Sequence, residues 1–241
     1  MCPLIFKSMA MMEVARRIER ASQTDSPVMV FGEPGTGKKQ VAESIHRQNR
    51  RGDGPLVIFS TENMAARLLE EKLFGNSEKP SVLETTGSGT LLIDEITRLP
   101  RTVQARLLEA ADARHRADMK YSGDRAIDFR LMATTRYDLR ESVARGVLRE
   151  DIGYRLAVVS IQVPPLRGRR EDIPSLVRHI LEELSVAHGR CVPSVSSKLM
   201  RLLMRHAWPG NVSQLRIYLD TMLYETGGDI LDEQNFRVPF L

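Results

Sequence analysis

Apolar residues recur at helical spacing through Met11, Val14 and Ile18, so the chain opens on an amphipathic helix that Ser22 to Pro27 brings to an end. Val28 to Phe31 is a short, unalternating apolar run, the pattern of a strand buried on both faces. A helix from Lys38 toward Asn49 then presents Val41, Ala42 and Ile45 on its inner side. Leu56 to Ser60 predicts a second strand, and a helix passes through Leu68 and Leu69 to about Lys72. Thr90 to Ile93 is the third strand, followed by a helix from Arg101 to about Ala111. The fourth and fifth strands are Phe129 to Thr134 and Val158 to Val163. Short strands separated by helices are the signature of a largely parallel sheet covered on both faces.

Pro164 and Pro165 change the pattern. Beyond them Ile173 to Ala187, Ser196 to His206 and Val212 to Tyr224 carry helical spacing, with Trp208, Pro209 and Gly210 punctuating the last connection. The organisation predicted is an α/β core over residues 1–165 and a small all-helical domain over 166–241. With 241 residues, 42% of them apolar, there is material for a real core, so disorder is not the default. The apolar runs are too short for a membrane span, and the start of the chain lacks the layout of an export signal. Two cysteines, Cys2 and Cys191, cannot make a disulfide framework and point to a reducing, cytoplasmic interior. Lys and Arg number 35 against 31 Asp and Glu, a weak excess that reads as an ordinary mixed surface.

Chemistry concentrates first in GEPGTGKK, comprising Gly32, Glu33, Pro34, Gly35, Thr36, Gly37, Lys38 and Lys39. The glycines lie between a buried strand and a helix, where backbone N–H groups can turn around phosphate oxygens without side chains intervening. Lys38 supplies a point charge toward the terminal phosphates. The usual signature follows that lysine with Ser or Thr, whose hydroxyl reaches magnesium. Lys39 has donors and no acceptor, so it cannot do so, and it is expected to point outward on the first helical turn.

LLIDEI, Leu91 to Ile96, supplies a second half. Its apolar residues run through the sheet, and Asp94 and Glu95 emerge at the carboxyl end. Asp94 suits a magnesium ion, directly or through water, and Glu95 suits a base that polarises an attacking water.

From about residue 4 to 236 the chain resembles the central AAA+ domain of bacterial enhancer-binding proteins, the activators of transcription by the sigma-54 form of RNA polymerase. The resemblance rests on GEPGTGKK, EKLFG (Glu71 to Gly75), GSGTLLIDEI (Gly87 to Ile96), LREDIGYRL (Leu148 to Leu156), VPPLRGRREDIP (Val163 to Pro174) and HAWPGNV (His206 to Val212). It implies a five-stranded parallel sheet with a helical lid, assembled as a dimer or hexameric ring, with ATP and Mg2+ between subunits. By position, Arg149 and Arg155 match the arginines offered to a neighbour's nucleotide, where cations stabilise charge moving onto the terminal phosphate. The resemblance further implies sensory and DNA-binding domains, neither of which lies in this sequence, so that DNA would be reached through other parts of a parent protein. RNA polymerase or regulatory proteins are the implied partners, with no role for a membrane.

Several positions depart from the family pattern. Between Phe74 and Gly89 the Gly-Ala-Phe-Thr-Gly-Ala loop that contacts the sigma factor is missing. Ser60 stands where an Asn restrains the catalytic glutamate, Arg136 where an Asn senses the terminal phosphate, and Ser213 where a lid arginine reaches the nucleotide. Arg216, one turn further, is the available substitute. Lys39 reverses the acidic residue that relatives carry. The expectation is therefore a nucleotide-binding oligomerisation module of a sigma-54-independent regulator with slow or absent hydrolysis. Two alternatives are an ATPase that remodels another protein through the shortened Asn76 to Glu84 segment, and a scaffold without productive nucleotide binding. Some relatives bind cyclic di-GMP near the phosphate loop, and the clusters Arg47/Arg50/Arg51 and Arg167/Arg169/Arg170 suit phosphodiesters, so that ligand is a minor option.

Overall fold

The computed structural model describes residues 4–75, 80–113, 128–226 and 229–235. The elements in chain order are α1 (Met9–Ser22), β1 (Val28–Phe31), α2 (Lys38–Arg47), β2 (Leu56–Ser60), α3 (Ala66–Phe74), α4 (Val82–Thr86), β3 (Thr90–Asp94), α5 (Arg101–Ala113), β4 (Arg130–Thr135), α6 (Leu139–Ala144), α7 (Glu150–Leu156) and β5 (Val159–Gln162). After these come α8 (Ile173–Ala187), β6 (Ser194–Val195), α9 (Ser197–Arg205), α10 (Asn211–Glu225) and β7 (Ile230–Leu231).

Two compact units divide the chain. One comprises Arg16–Gly32 with Lys38–Gln162, the other Met1–Ala15, Glu33–Gly37 and Val163–Leu241. Where the sequence places one cut near residue 165, the helical unit also takes in the first residues and most of the glycine loop. Buried Asp172 is one reason: its Oδ1 accepts the backbone N–H groups of Lys7 and Ser8 at 2.9 and 2.7 Å, and its Oδ2 accepts the Ser8 hydroxyl at 2.9 Å.

The first unit is built on a five-stranded parallel sheet of order β2-β3-β4-β1-β5, the fold class expected. Alternation along the strands divides their side chains between two buried faces. Met29, Leu91, Ile93, Leu131 and Ala133 join Leu73, Leu107 and Ile152 of α3, α5 and α7 in one core. Val28, Val30, Leu92 and Met132 are equally buried on the other side, and α2, with Val41, Ala42 and Ile45 inside, packs on β1, β3 and β4. A sheet covered this way shows no polar alternation, which is why its strands read as continuous apolar runs. The pairs Phe31↔Thr135 and Ser60↔Asp94 close the ladders of β1 with β4 and of β2 with β3, so the carboxyl ends of these strands emerge level.

In the second unit α8, α9 and α10 enclose Leu176, Ile180, Leu203, Leu215 and Leu219 around fully buried Trp208. The indole N–H donates to the Leu203 carbonyl at 2.7 Å, and the ring packs at a tilt against Tyr218. Burial raises the Tyr218 hydroxyl above its usual range. The lid is not entirely helical: β6 and β7 form a parallel pair with Ser194 opposite Ile230. Two-residue strands are too short to leave a periodic signal. Among the described residues no helix is long and apolar enough to cross a membrane.

Candidate functional site

The glycine loop begins where β1 ends. Gly32 donates its N–H to the Thr135 carbonyl at 3.2 Å, continuing the β1–β4 ladder by one bond before the chain turns away. Gly35 and Gly37 have φ of 76° and 100°, the region where only glycine is unstrained. Lys38 opens α2, and its ammonium bends back to donate to the Gly32 carbonyl at 2.8 Å. Burial depresses the Lys38 pKa, while the charges of Glu95 and Asp94 oppose the fall. A partly desolvated lysine closing a strand–glycine loop–helix turn is a phosphate-gripping arrangement.

The middle of that loop is held by the helical unit to which it belongs. The Gly35 carbonyl accepts the Val212 N–H at 3.0 Å, and the Asn211 amide donates to the Pro34 carbonyl at 2.9 Å and to the Glu33 carboxylate at 3.2 Å. Asn211 also accepts the Leu166 N–H at 2.7 Å, so one buried amide joins three segments. Arg167 pairs with Glu33 at 2.7 Å and is the main cause that holds that carboxyl below its ordinary pKa. Buried Arg169 donates to the Thr36 carbonyl at 2.6 Å. Arg167 and Arg169 therefore brace the loop instead of presenting a phosphodiester surface. Likewise Arg50 and Arg51 are engaged by Asp25. Sequence reasoning missed Asn211 and the bracing role of Arg169; the signal available was the polar residues inside WPGNV and LRGRRED, adjacent to buried Trp208 and Leu166.

Asp94 and Glu95 emerge from β3 as expected. Glu95 sits in the left-handed region, with φ of 62°, at the head of a short 3-10 turn over Ile96–Arg98. A non-glycine residue in such a conformation costs about 1–3 kcal/mol, which its surroundings must offset. Its N–H donates to the Thr134 hydroxyl at 3.1 Å, which in turn donates to Asp94 Oδ1 at 2.7 Å. The Thr61 hydroxyl lies 2.9 Å from the Asp94 carbonyl and 3.0 Å from that of Glu95. Glu95 Oε1 accepts from Thr97 and Thr135 hydroxyls at 2.8 and 3.0 Å and from the Arg136 N–H at 3.2 Å, while Oε2 accepts from Arg136 Nε at 3.2 Å.

Lys39 does not point away from this constellation. Its ammonium lies 2.7 Å from Asp94 Oδ2, because the first turn of α2 runs beside the end of β3 and a four-carbon stem spans the gap. Arg136 is spent on Glu95. The hydroxyl of Ser60 accepts from the Glu62 N–H at 3.4 Å, and Ser213 lies against Gly35. Arg216 pairs with Glu183 at 2.6 Å and pulls that carboxyl down to about 2. Arg149 immediately precedes α7 and pairs with Asp151 at 2.6 Å, while Arg155 in the last turn of that helix pairs with Asp112 at 2.8 Å.

Comparison with known proteins adds identity to this geometry. The family described as Sigma-54 interaction domain matches residues 4–162, and the family described as AAA+ ATPase lid domain matches residues 167–240. The Nif-specific regulatory protein of Herbaspirillum seropedicae is 36% identical over 238 residues, covering 95% of this chain and 44% of that protein. The DNA-binding transcriptional regulator NtrC of Azospirillum brasilense is 39% identical over 222 residues, covering 88% and 46%. The crystal structure of NtrX from Brucella abortus in complex with ATP superposes with a TM-score of 0.84 at 34% identity, covering 94% of this chain and 53% of that one. An ADP complex of the same protein gives 0.85 at 34% identity, covering 94% and 52%. The chain spans about half the length of the curated relatives it matches.

The matches overturn the expectation of a sigma-54-independent regulator. That expectation weighs one missing hexapeptide between Phe74 and Gly89 against a likeness that covers residues 4–162 and 167–240. Of the shortened Asn76 to Glu84 segment, residues 76–79 lie outside the described residues; the next element is the short helix α4, capped reciprocally by Ser81 and Glu84. From the phosphate loop to the lid, the chain belongs to the Sigma-54 interaction domain family, carrying the AAA+ ATPase lid that comes after it.

Proposed function

We propose that this chain is the nucleotide-binding module of a sigma-54-dependent transcriptional regulator, and that it holds ATP or ADP through the loop from Gly32 to Lys38. The observation that carries the reading is that loop itself: glycines at positive φ and a partly desolvated lysine at the first helical position, folded back onto the Gly32 carbonyl. The ATP and ADP complexes of the 34%-identical NtrX support it. Lys38 meets the terminal phosphates, and Glu33 to Gly37 wrap the others. In an assembly of copies, Arg149 and Arg155 approach a neighbour's nucleotide, and sigma-54 RNA polymerase is the downstream partner. DNA is reached through parts of the regulator outside this sequence.

Isothermal titration of the chain with ATP, ADP and cyclic di-GMP, with and without Lys38→Ala, tests the reading. ATP and ADP are expected to bind, and the substitution to weaken ATP by about 10-fold to 100-fold through loss of a charge-assisted contact. Absence of heat with both adenine nucleotides, or an unchanged affinity after the substitution, overturns it. Heat with cyclic di-GMP alone assigns the loop to that dinucleotide.

A further inference from the structure

Lys39 occupies a position that elsewhere serves a metal. In a loop of this kind the residue after the first lysine brings a hydroxyl to magnesium, and the aspartate after the neighbouring strand brings a carboxylate. Here that position, acidic in the pattern this chain resembles, holds a lysine with three donors and no acceptor. The carboxylate is engaged at both oxygens, Oδ2 by Lys39 at 2.7 Å and Oδ1 by Thr134 at 2.7 Å. Magnesium demands near-octahedral oxygens at roughly 2.0–2.1 Å, and an ammonium on the same carboxylate is a competing cation. On this donor set the residues present do not fit the ion that the sequence reading assigns to Asp94.

The same substitution of role occurs one residue on. Arg136 lies against Glu95, so each acidic side chain at the end of β3 has its own internal cation. Lys38, Lys39 and Arg136 set three cations against the two carboxylates of Asp94 and Glu95. A binding site that needed magnesium to relieve carboxylate–phosphate repulsion would carry the opposite balance. Lys39 is anchored at one end of α2 and about half of its side chain is exposed, at 47%, so its ammonium can reach a phosphate oxygen without leaving the carboxylate far behind.

We infer that Lys39 is a built-in replacement for the metal ion, and that this chain binds nucleoside triphosphates without a divalent cation. The inference rests on the nucleotide-binding reading above. The ligand class is a free polyphosphate nucleotide rather than its magnesium complex, with Lys39 bridging Asp94 and the phosphate chain.

The test is calorimetric titration of ATP into the chain and into Lys39→Ser, each in millimolar magnesium and in excess EDTA, with thermal melts to show that both proteins are folded. In the parent chain the dissociation constants with and without magnesium are expected to agree within about threefold. In Lys39→Ser, which introduces a hydroxyl and frees Asp94, removal of magnesium is expected to weaken binding by at least about tenfold. Parent binding that collapses in EDTA, or a serine variant as indifferent to magnesium as its parent, overturns the inference. Silence of the parent chain under both conditions instead removes the proposed function, and the inference with it.

Discussion

At Gly35 a single added carbon meets both an obstacle and a strained backbone. A Cβ there would stand 2.3 Å from the Gly210 carbonyl oxygen and 3.1 Å from Ser213, at a φ of 76°. Backbone strain and overlap together predict a loss of about 2–4 kcal/mol for Gly35→Ala, read as the shift in urea midpoint, with loss of ATP affinity. Gly189 supplies the control: its φ is 63°, yet nothing lies within 4 Å of the added carbon. Gly189→Ala is therefore expected to cost only about 1 kcal/mol, the conformational penalty alone. Residue-scale chemistry was only partly legible in the sequence. The glycines, Lys38, Asp94 and Glu95 could be named from their spacing, because strand, turn and helix leave them few places to be. The partners of Lys39 and Arg136 could not, since a flexible cation chooses its carboxylate from across the sheet and sequence separation carries no record of that choice.

Between elements, two polar clamps merit test. Asp25, in the connection from α1 to β1, holds Arg50 and Arg51 beyond α2, and Arg51 reaches on to the Ser88 carbonyl at 2.8 Å and the Asp128 carboxylate at 2.9 Å. Burial works to raise the Asp25 pKa, but hydrogen bonds from Arg50 and then Arg51 outweigh it and bring the group from 3.8 to about 2. A carboxyl acidified by folding stabilises above its unfolded pKa, and that contribution is lost as pH falls through 3.8 toward 2. Because Arg50 is largely exposed, solvent screening leaves roughly 1 kcal/mol of it. Asp25→Asn is expected to lose that amount at pH 7 and to flatten the difference between urea midpoints at pH 5 and pH 2.5. The second clamp is Asn211, whose replacement by Ala strands the Leu166 N–H and the Pro34 carbonyl; the expected loss is about 1–3 kcal/mol, measured by thermal or urea unfolding. Strands and long helices were legible because apolar periodicity is dictated by local geometry, as with Val41, Ala42 and Ile45 inside α2. Residues 194–195 and 230–231 escaped, since their pairing is set by the lid around them.

For the whole molecule, binding and stability are linked. ATP at about 100 times its dissociation constant is expected to add about 2.7 kcal/mol to the binding-competent state. In a chain of this size that corresponds to a rise of about 5–10 °C in melting temperature. At the same ATP concentration Lys38→Ala, weakened about 10-fold to 100-fold, should keep only about 0.4–1.4 kcal/mol of that stabilisation, each melt being read against that variant's own ligand-free protein. If copies assemble around the nucleotide, light scattering will show growth on adding ATP. Arg149→Ala should then reduce that growth while leaving the calorimetric affinity of dilute protein nearly unchanged, because within its own chain Arg149 pairs with Asp151.

Glu33 to Gly37 are fastened to α10 and to Arg167 and Arg169, so the grip on phosphate is only as durable as the folding of a helix more than 170 residues later. A screen for lost affinity would then return hits scattered along the C-terminal third of the chain, at positions that never meet a nucleotide. An inhibitor that pried α10 loose would silence the loop from behind, without competing with ATP for a single hydrogen bond.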